Sequence, residues 1–91
     1  MYKVLKFGAN WCGPCRELAK GLSRQPITNP NVEFREVDIE EEERLTDAFD
    51  IRSLPTIVIM NGTEELARHV GAITVKDLHK LIDETCTADV H

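Results

Sequence analysis

Trp11-Cys12-Gly13-Pro14-Cys15 follows an apolar run at residues 2–7 and a short loop at residues 8–10, and its reading decides the fold. Two cysteines three positions apart at the mouth of a helix form a dithiol that can open and close as a disulfide. Cys12 falls near the helix N-terminus, where unpaired backbone N–H groups and the helix dipole favour a thiolate over a thiol. Cys15 lies a turn further in, close enough to bond back. The spacing therefore supplies an attacking sulfur and a resolving sulfur, with Pro14 at a natural first-turn position.

Two other uses of Cys-x-x-Cys compete. A zinc site needs four ligands, and Cys86 with His69, His79 and His91 does not supply a second pair, so no metal is expected. A purely structural disulfide across so short a loop would constrain the unfolded chain little.

Working outward, 91 residues with 42% hydrophobic and 30% charged composition describe one domain with a modest core. The net charge of −5 and the lack of a basic stripe argue against a nucleic-acid partner. No basic segment followed by an apolar stretch opens the sequence, and no apolar run approaches the about 20 residues that span a bilayer. The expectation is a soluble cytosolic chain without a membrane partner, a setting in which Cys-x-x-Cys is more often catalytic than structural.

Residues 2–7 read as a strand. A helix follows over about 12–23, with Cys15, Leu18, Ala19 and Leu22 on one face. Residues 26–31 form turns, 32–39 a second strand, and 40–49 a second helix whose first turn is an acidic run, favourable at a helix N-terminus. Residues 54–60 read as a third strand opening at Pro55. Asn61-Gly62 is a hairpin turn, and 65–70 returns antiparallel. Thr74 caps a last helix, with Val75, Leu78, Leu81 and Ile82 as its buried stripe and Asp77 in its first turn. One domain is expected over residues 1–91, frayed after Glu84, with Cys86 a tail thiol able to form an adventitious dimer.

This β-α-β-α-β-β-α order, with Trp11-Cys12-Gly13-Pro14-Cys15 after the first strand and Leu54-Pro55-Thr56 opening the third, resembles the thioredoxin family. Asn61-Gly62 and Val70-Gly71-Ala72 extend the match over nearly the whole chain. The resemblance implies an α/β fold, a minimal thioredoxin fold with a four-stranded mixed sheet and helices on both faces. It makes Cys12 the nucleophile, Cys15 the resolver and Pro55 a cis-proline beside the dithiol; an X-Pro bond at a strand start is also one of the few places where cis is tolerated. Trp11 and the backbone around Leu54 and Pro55 would form an apolar docking groove, with Gly13, Pro14 and Gly71 completing the substrate-binding set.

The sequence departs from the family pattern in four ways. The usual first strand and helix are missing. Lys20 replaces a helix-kinking proline, so the first helix should be straighter. Lys6 stands where the family carries a buried aspartate, and Glu36 where it carries the partner lysine. Lys6 shares strand phase with Val4, and Glu36 with Val32 and Phe34, so both charges interrupt inward faces. Lone buried charges are costly, so Lys6 and Glu36 are expected to pair across neighbouring strands and to act with the dithiol in proton handling.

The implied activity is thiol–disulfide exchange that reduces protein disulfides, needing no cofactor in the chain and taking electrons from a thioredoxin-reductase-like flavoenzyme, with the chain a monomer. Two alternatives remain. A glutaredoxin-like enzyme would use glutathione; the length fits, but the Gly71-Ala72 turn and the Gly13-Pro14 dithiol interior fit less well. A non-catalytic binding module would leave the intact Cys12/Cys15 pair without a task.

Overall fold

The computed structural model describes residues 1–87. Along the chain run β1 (Tyr2–Gly8), α1 (Gly13–Arg24), β2 (Val32–Asp38), α2 (Glu43–Ala48), β3 (Thr56–Asn61), β4 (Glu64–Val70) and α3 (Val75–Thr85). Four strands form one mixed sheet in the order β2-β1-β3-β4. β1 and β2, joined through α1, are parallel, whereas β1–β3 and the β3–β4 hairpin are antiparallel. This is the expected α/β architecture, since a helical crossover returns the chain parallel and a tight turn returns it antiparallel.

β1 is central and buried on both faces, which is why it reads as a continuous apolar run. On one face Tyr2, Val4, Ile57 and Ile59 pack with Leu18 and Leu22 of α1 and with Leu78 and Ile82 of α3. On the other, Leu5, Phe7, Val37 and Val58 pack with Leu45 of α2 and with Phe49 at its C-terminal end. The Phe7 and Phe49 rings meet tilted, with centroids 5.6 Å apart. α1 and α3 approach closely at Gly21, where a Cβ would stand 2.8 Å from Val75 Cβ. α1 runs unbroken past Lys20, whose exposed ammonium pairs with Glu17 at 3.4 Å.

Four local expectations are corrected. α2 starts at Glu43 rather than residue 40. Asp38 takes up the intervening turn: its Oδ1 accepts from the Glu40 N–H at 2.8 Å, and its carbonyl accepts from the N–H groups of Glu41 and Glu42 at 3.1 and 2.9 Å. The side chain of Arg35 then pairs with Glu42. An acidic residue just before these N–H groups competes with helix formation by offering a turn instead. β3 begins at Thr56, after Leu54 and Pro55, because proline lacks the ladder donor. In the hairpin Asn61 pairs with Glu64, so the loop is Gly62-Thr63, with Gly62 at φ +63°. Positive φ costs glycine little, and this shifts the turn by one residue from the Asn61-Gly62 reading.

The last correction concerns Cys86. α3 continues through Thr85, and Cys86 is 6% exposed within the core formed by Tyr2, Val4 and Ile82. It is a core residue, not a tail ornament, and its burial takes away the accessible thiol that an adventitious dimer needs. The expected fraying after Glu84 fails at residue 85; residues 88–91, including His91, lie outside the described residues.

Candidate active site at the start of the first helix

Parallel pairing places the C-terminal ends of β1 and β2 side by side, with Gly8 opposite Asp38. In open α/β sheets that end of the strands is where a crevice forms. The chain leaves β1 through residues 9–11, and the N–H of Cys12 donates to the carbonyl of Ala9 at 3.1 Å. Cys12 is the N-cap of α1, with extended backbone (φ −85°, ψ 112°). Its Sγ accepts a hydrogen bond from the Cys15 N–H at 3.2 Å. A sulfur in the N-cap position thus takes the place of the usual capping oxygen, where negative charge is favoured. Pro14 lies in the first turn, where no intrahelical N–H is required.

Cys12 and Cys15 form a disulfide, with Cα atoms 5.2 Å apart. Both are nearly buried, at 6% and 4% exposure, so exposure does not tell the two sulfurs apart. Their surroundings do. Cys12 lines an open groove with Trp11, Gly13, Pro14, Ile39, Ile51, Arg52 and Leu54. Cys15 lines a separate and more polar pocket, shared with Lys6, Arg16, Glu36 and Asp38. Trp11 is 63% exposed and forms an uncovered apolar wall of the groove.

Leu54 packs on Ala9, Cys12 and Cys15. The Leu54–Pro55 peptide bond is cis, and Pro55 is fully buried. The Pro55 carbonyl accepts from the N–H of Gly71 at 2.9 Å, and Gly71 takes φ +100°, so Gly71 reaches the site through the backbone of Pro55 rather than as part of the groove wall.

Lys6 and Glu36 face each other in the β1–β2 register, with Nζ and Oε1 3.6 Å apart. The expected pairing is present, but not its symmetry. The Lys6 side chain is 6% exposed, whereas that of Glu36 is 61% exposed. β2 is an edge strand, so the Glu36 carboxylate reaches over the rim into water instead of facing inward as its phase suggests.

Sequence reasoning missed several participants. Gly8 is one: a Cβ there would lie 3.2 Å from Cys15 Sγ, so the disulfide is seated directly against its backbone. Ile39, Ile51 and Arg52 are others, walling the groove from loops distant in sequence; the Arg52 guanidinium pairs with Asp50 at 3.1 Å. Apolar residues just past a strand's C-terminal end, such as Ile39, were the available signal. Among the described residues no group of three or more His, Cys, Asp or Glu is placed to hold a metal ion, and no helix is long and apolar enough to cross a membrane.

Comparison with known proteins agrees with this geometry. The thioredoxin family model matches residues 2–84. Thioredoxin C-3 of Corynebacterium nephridii is 42% identical over 81 residues, covering 89% of this chain and 56% of that protein. Thioredoxin H5 of Oryza sativa subsp. japonica is 38% identical over 68 residues, covering 75% of this chain and 50% of that protein. The chain thus spans about half the length of these relatives. The X-ray structure of Fasciola hepatica thioredoxin superposes with a TM-score of 0.81 at 31% identity, covering 92% of this chain and 80% of that one. With the family model matched over the whole sheet and nearly all of the three helices, the chain belongs to the thioredoxin family.

Proposed function

We propose that this chain is a thiol–disulfide oxidoreductase that reduces protein disulfides. The observation that carries the reading is the difference between the surroundings of the two sulfurs: Cys12 lines a mostly apolar groove beside Trp11 and Leu54, whereas Cys15 lines a more polar pocket beside Lys6, Glu36 and Asp38. In the reduced protein the Cys12 thiolate, held by the Cys15 N–H and the α1 N-terminus, attacks one sulfur of a substrate disulfide. A Cys12–substrate bond forms, the substrate S–S bond breaks, and one substrate thiolate leaves and takes a proton from water. Cys15 then gives up its proton to solvent through the pocket beside Lys6 and Glu36, and attacks Cys12 Sγ. The Cys12–Cys15 disulfide forms as the second substrate sulfur departs.

Trp11, Gly13, Pro14 and Leu54 receive the substrate. An extended segment alongside Leu54 and Pro55 can pair with the backbone, which binds many sequences because main-chain groups carry no side-chain identity. Gly71 supports that edge through Pro55. Two electrons pass from the dithiol to the substrate. A thioredoxin-reductase-like flavoenzyme in the cytosol returns them, and the chain acts as a monomer.

The test is reduction of insulin disulfides, followed by turbidity, with and without a thioredoxin reductase and its nicotinamide donor. Turnover dependent on that reductase is expected. Turnover with glutathione and glutathione reductase alone would assign a glutathione-coupled enzyme instead, and absence of any turnover would leave a binding module.

A further inference from the structure

We propose that the buried Lys6 ammonium sets the acidity of the Cys15 thiol, and that Glu36 tempers it. This rests on the reading of Cys12 and Cys15 as attacking and resolving sulfurs. Among the described residues Lys6 is the only buried charged side chain. It lines the same cavity as Cys15.

Three other ionisable side chains reach that cavity, and each is engaged or screened. The Arg16 guanidinium is exposed and donates to the Asn10 carbonyl at 3.0 Å. The Asp38 carboxylate accepts from the Glu40 N–H at 2.8 Å. The Glu36 carboxylate, 3.6 Å from Lys6 Nζ, is 61% exposed. Formally the four charges cancel. They do not cancel at the sulfur, because a charge enclosed by protein acts through a lower effective dielectric than one bathed in water. Lys6 therefore dominates the potential at Cys15, and a nearby cation favours thiolate over thiol.

Lys6 acts on the second half of the reaction. Once Cys12 carries the substrate, Cys15 loses its proton through the cavity to solvent, and the resulting thiolate attacks Cys12 Sγ. The Cys12–Cys15 bond forms, the Cys12–substrate bond breaks, and the released substrate thiolate takes up a proton. Lys6 exchanges no proton in either step. It is a positioning residue in the electrostatic sense, lowering the pH at which the resolving thiolate becomes available.

The two sulfurs can be read separately with the chromogenic aromatic disulfide dithiobis(nitrobenzoate) in stopped flow. Attack by Cys12 releases the first coloured thiolate and attack by Cys15 releases the second, while Cys86, buried in the core, contributes no phase. The pH midpoint of the second phase reports Cys15 acidity; its high-pH plateau reports everything else. Lys6→Met should raise that midpoint by about one pH unit, slowing the second phase about tenfold below it. Lys6→Arg should restore it. Glu36→Gln, which unmasks the ammonium, should move it the other way. The first-phase midpoint should stay within a few tenths of a unit in all three. Superimposable second-phase profiles for wild type and Lys6→Met, or shifts of the same sign in Lys6→Met and Glu36→Gln, would overturn the proposal. If Lys6→Met fails to fold, Glu36→Gln decides alone: an unchanged or raised midpoint refutes it. A wild type that releases a single coloured thiolate per chain would refute the underlying dithiol reading, whatever Lys6 does.

Discussion

Lys6 and Glu36 show how one pair of side chains can be legible in sequence and still be misjudged in detail. Their strand phases require a partner for each charge, and the register delivers it at 3.6 Å. Edge position, which phase does not encode, leaves Glu36 in water and Lys6 inside. The energetic consequence is asymmetric. Glu36→Ala strands a buried ammonium, whereas Lys6→Ala leaves a hydrated carboxylate and a small cavity. Chemical denaturation of both single variants and the double variant should show a coupling of about 1 kcal/mol, the double losing less than the sum; strict additivity would mean that the charges do not interact. Gly8 was invisible to sequence reasoning, since nothing along the chain announces that Cys15 Sγ will lie against it. Gly8→Ala places a Cβ 3.2 Å from that sulfur. The variant should lose about 1 kcal/mol of stability in the disulfide form, because a packed interior resists even one added methyl.

Each element owes its bounds to a few groups at its ends. α1 begins where Cys12 Sγ caps the Cys15 N–H, and α3 where Thr74 Oγ1 accepts from the Asp77 N–H at 3.1 Å. Both starts were readable, because capping is local chemistry. The start of α2 was not, because Asp38 at the end of a strand takes up the turn that the acidic run would otherwise have used. α2 buries no residue of its own, and Arg68 of β4 holds its C-terminal end. Its Nη1 donates to the Phe49 carbonyl at 2.8 Å, while Nε and Nη2 grip both oxygens of Glu65, each at 2.8 Å. Hydrogen bonding to Arg68 holds the Glu65 carboxyl below its ordinary 4.5. A carboxylate lowered on folding adds stability that is present above its unfolded pKa and lost as pH falls through the folded value. Glu65→Gln should therefore narrow the stability gap between pH 7 and pH 3 by about 0.5 kcal/mol, a figure discounted because the carboxylate is partly exposed; an unchanged gap would mean that the pair contributes nothing. At the end of α3, Cys86 is no more buried than Cys12, but it packs in the core among Tyr2, Val4 and Ile82, whereas Cys12 lines a groove and caps a helix N-terminus that favours its thiolate; that difference predicts protection of Cys86. Iodoacetamide on the reduced native protein should modify Cys12 first and spare Cys86 until denaturant is added, with early Cys86 labelling contradicting its place in the core.

For the molecule as a whole, strand direction followed from connection type, and the dithiol from five consecutive residues. The substrate groove did not follow. Ile39, Ile51 and Arg52 come from separate loops and meet Trp11 only because β1 and β2 end side by side. Cys86 was misread for a related reason: its neighbours in sequence are polar, and only the packing of α3 across Tyr2, Val4 and Ile82 brings it inside. Cys12 lines the groove beside Trp11 and Leu54 while Cys15 lines the pocket beside Lys6, and the proposed reaction takes its order of attack from that difference. That order is tested most directly by incubating the reduced Cys15→Ser and Cys12→Ser variants with a disulfide-containing protein and weighing the products by intact-mass spectrometry. Cys15→Ser should accumulate a covalent mixed disulfide through Cys12, reversible by dithiothreitol, and Cys12→Ser should accumulate none. Adducts forming on Cys12→Ser and not on Cys15→Ser would reverse the assignment of the two sulfurs.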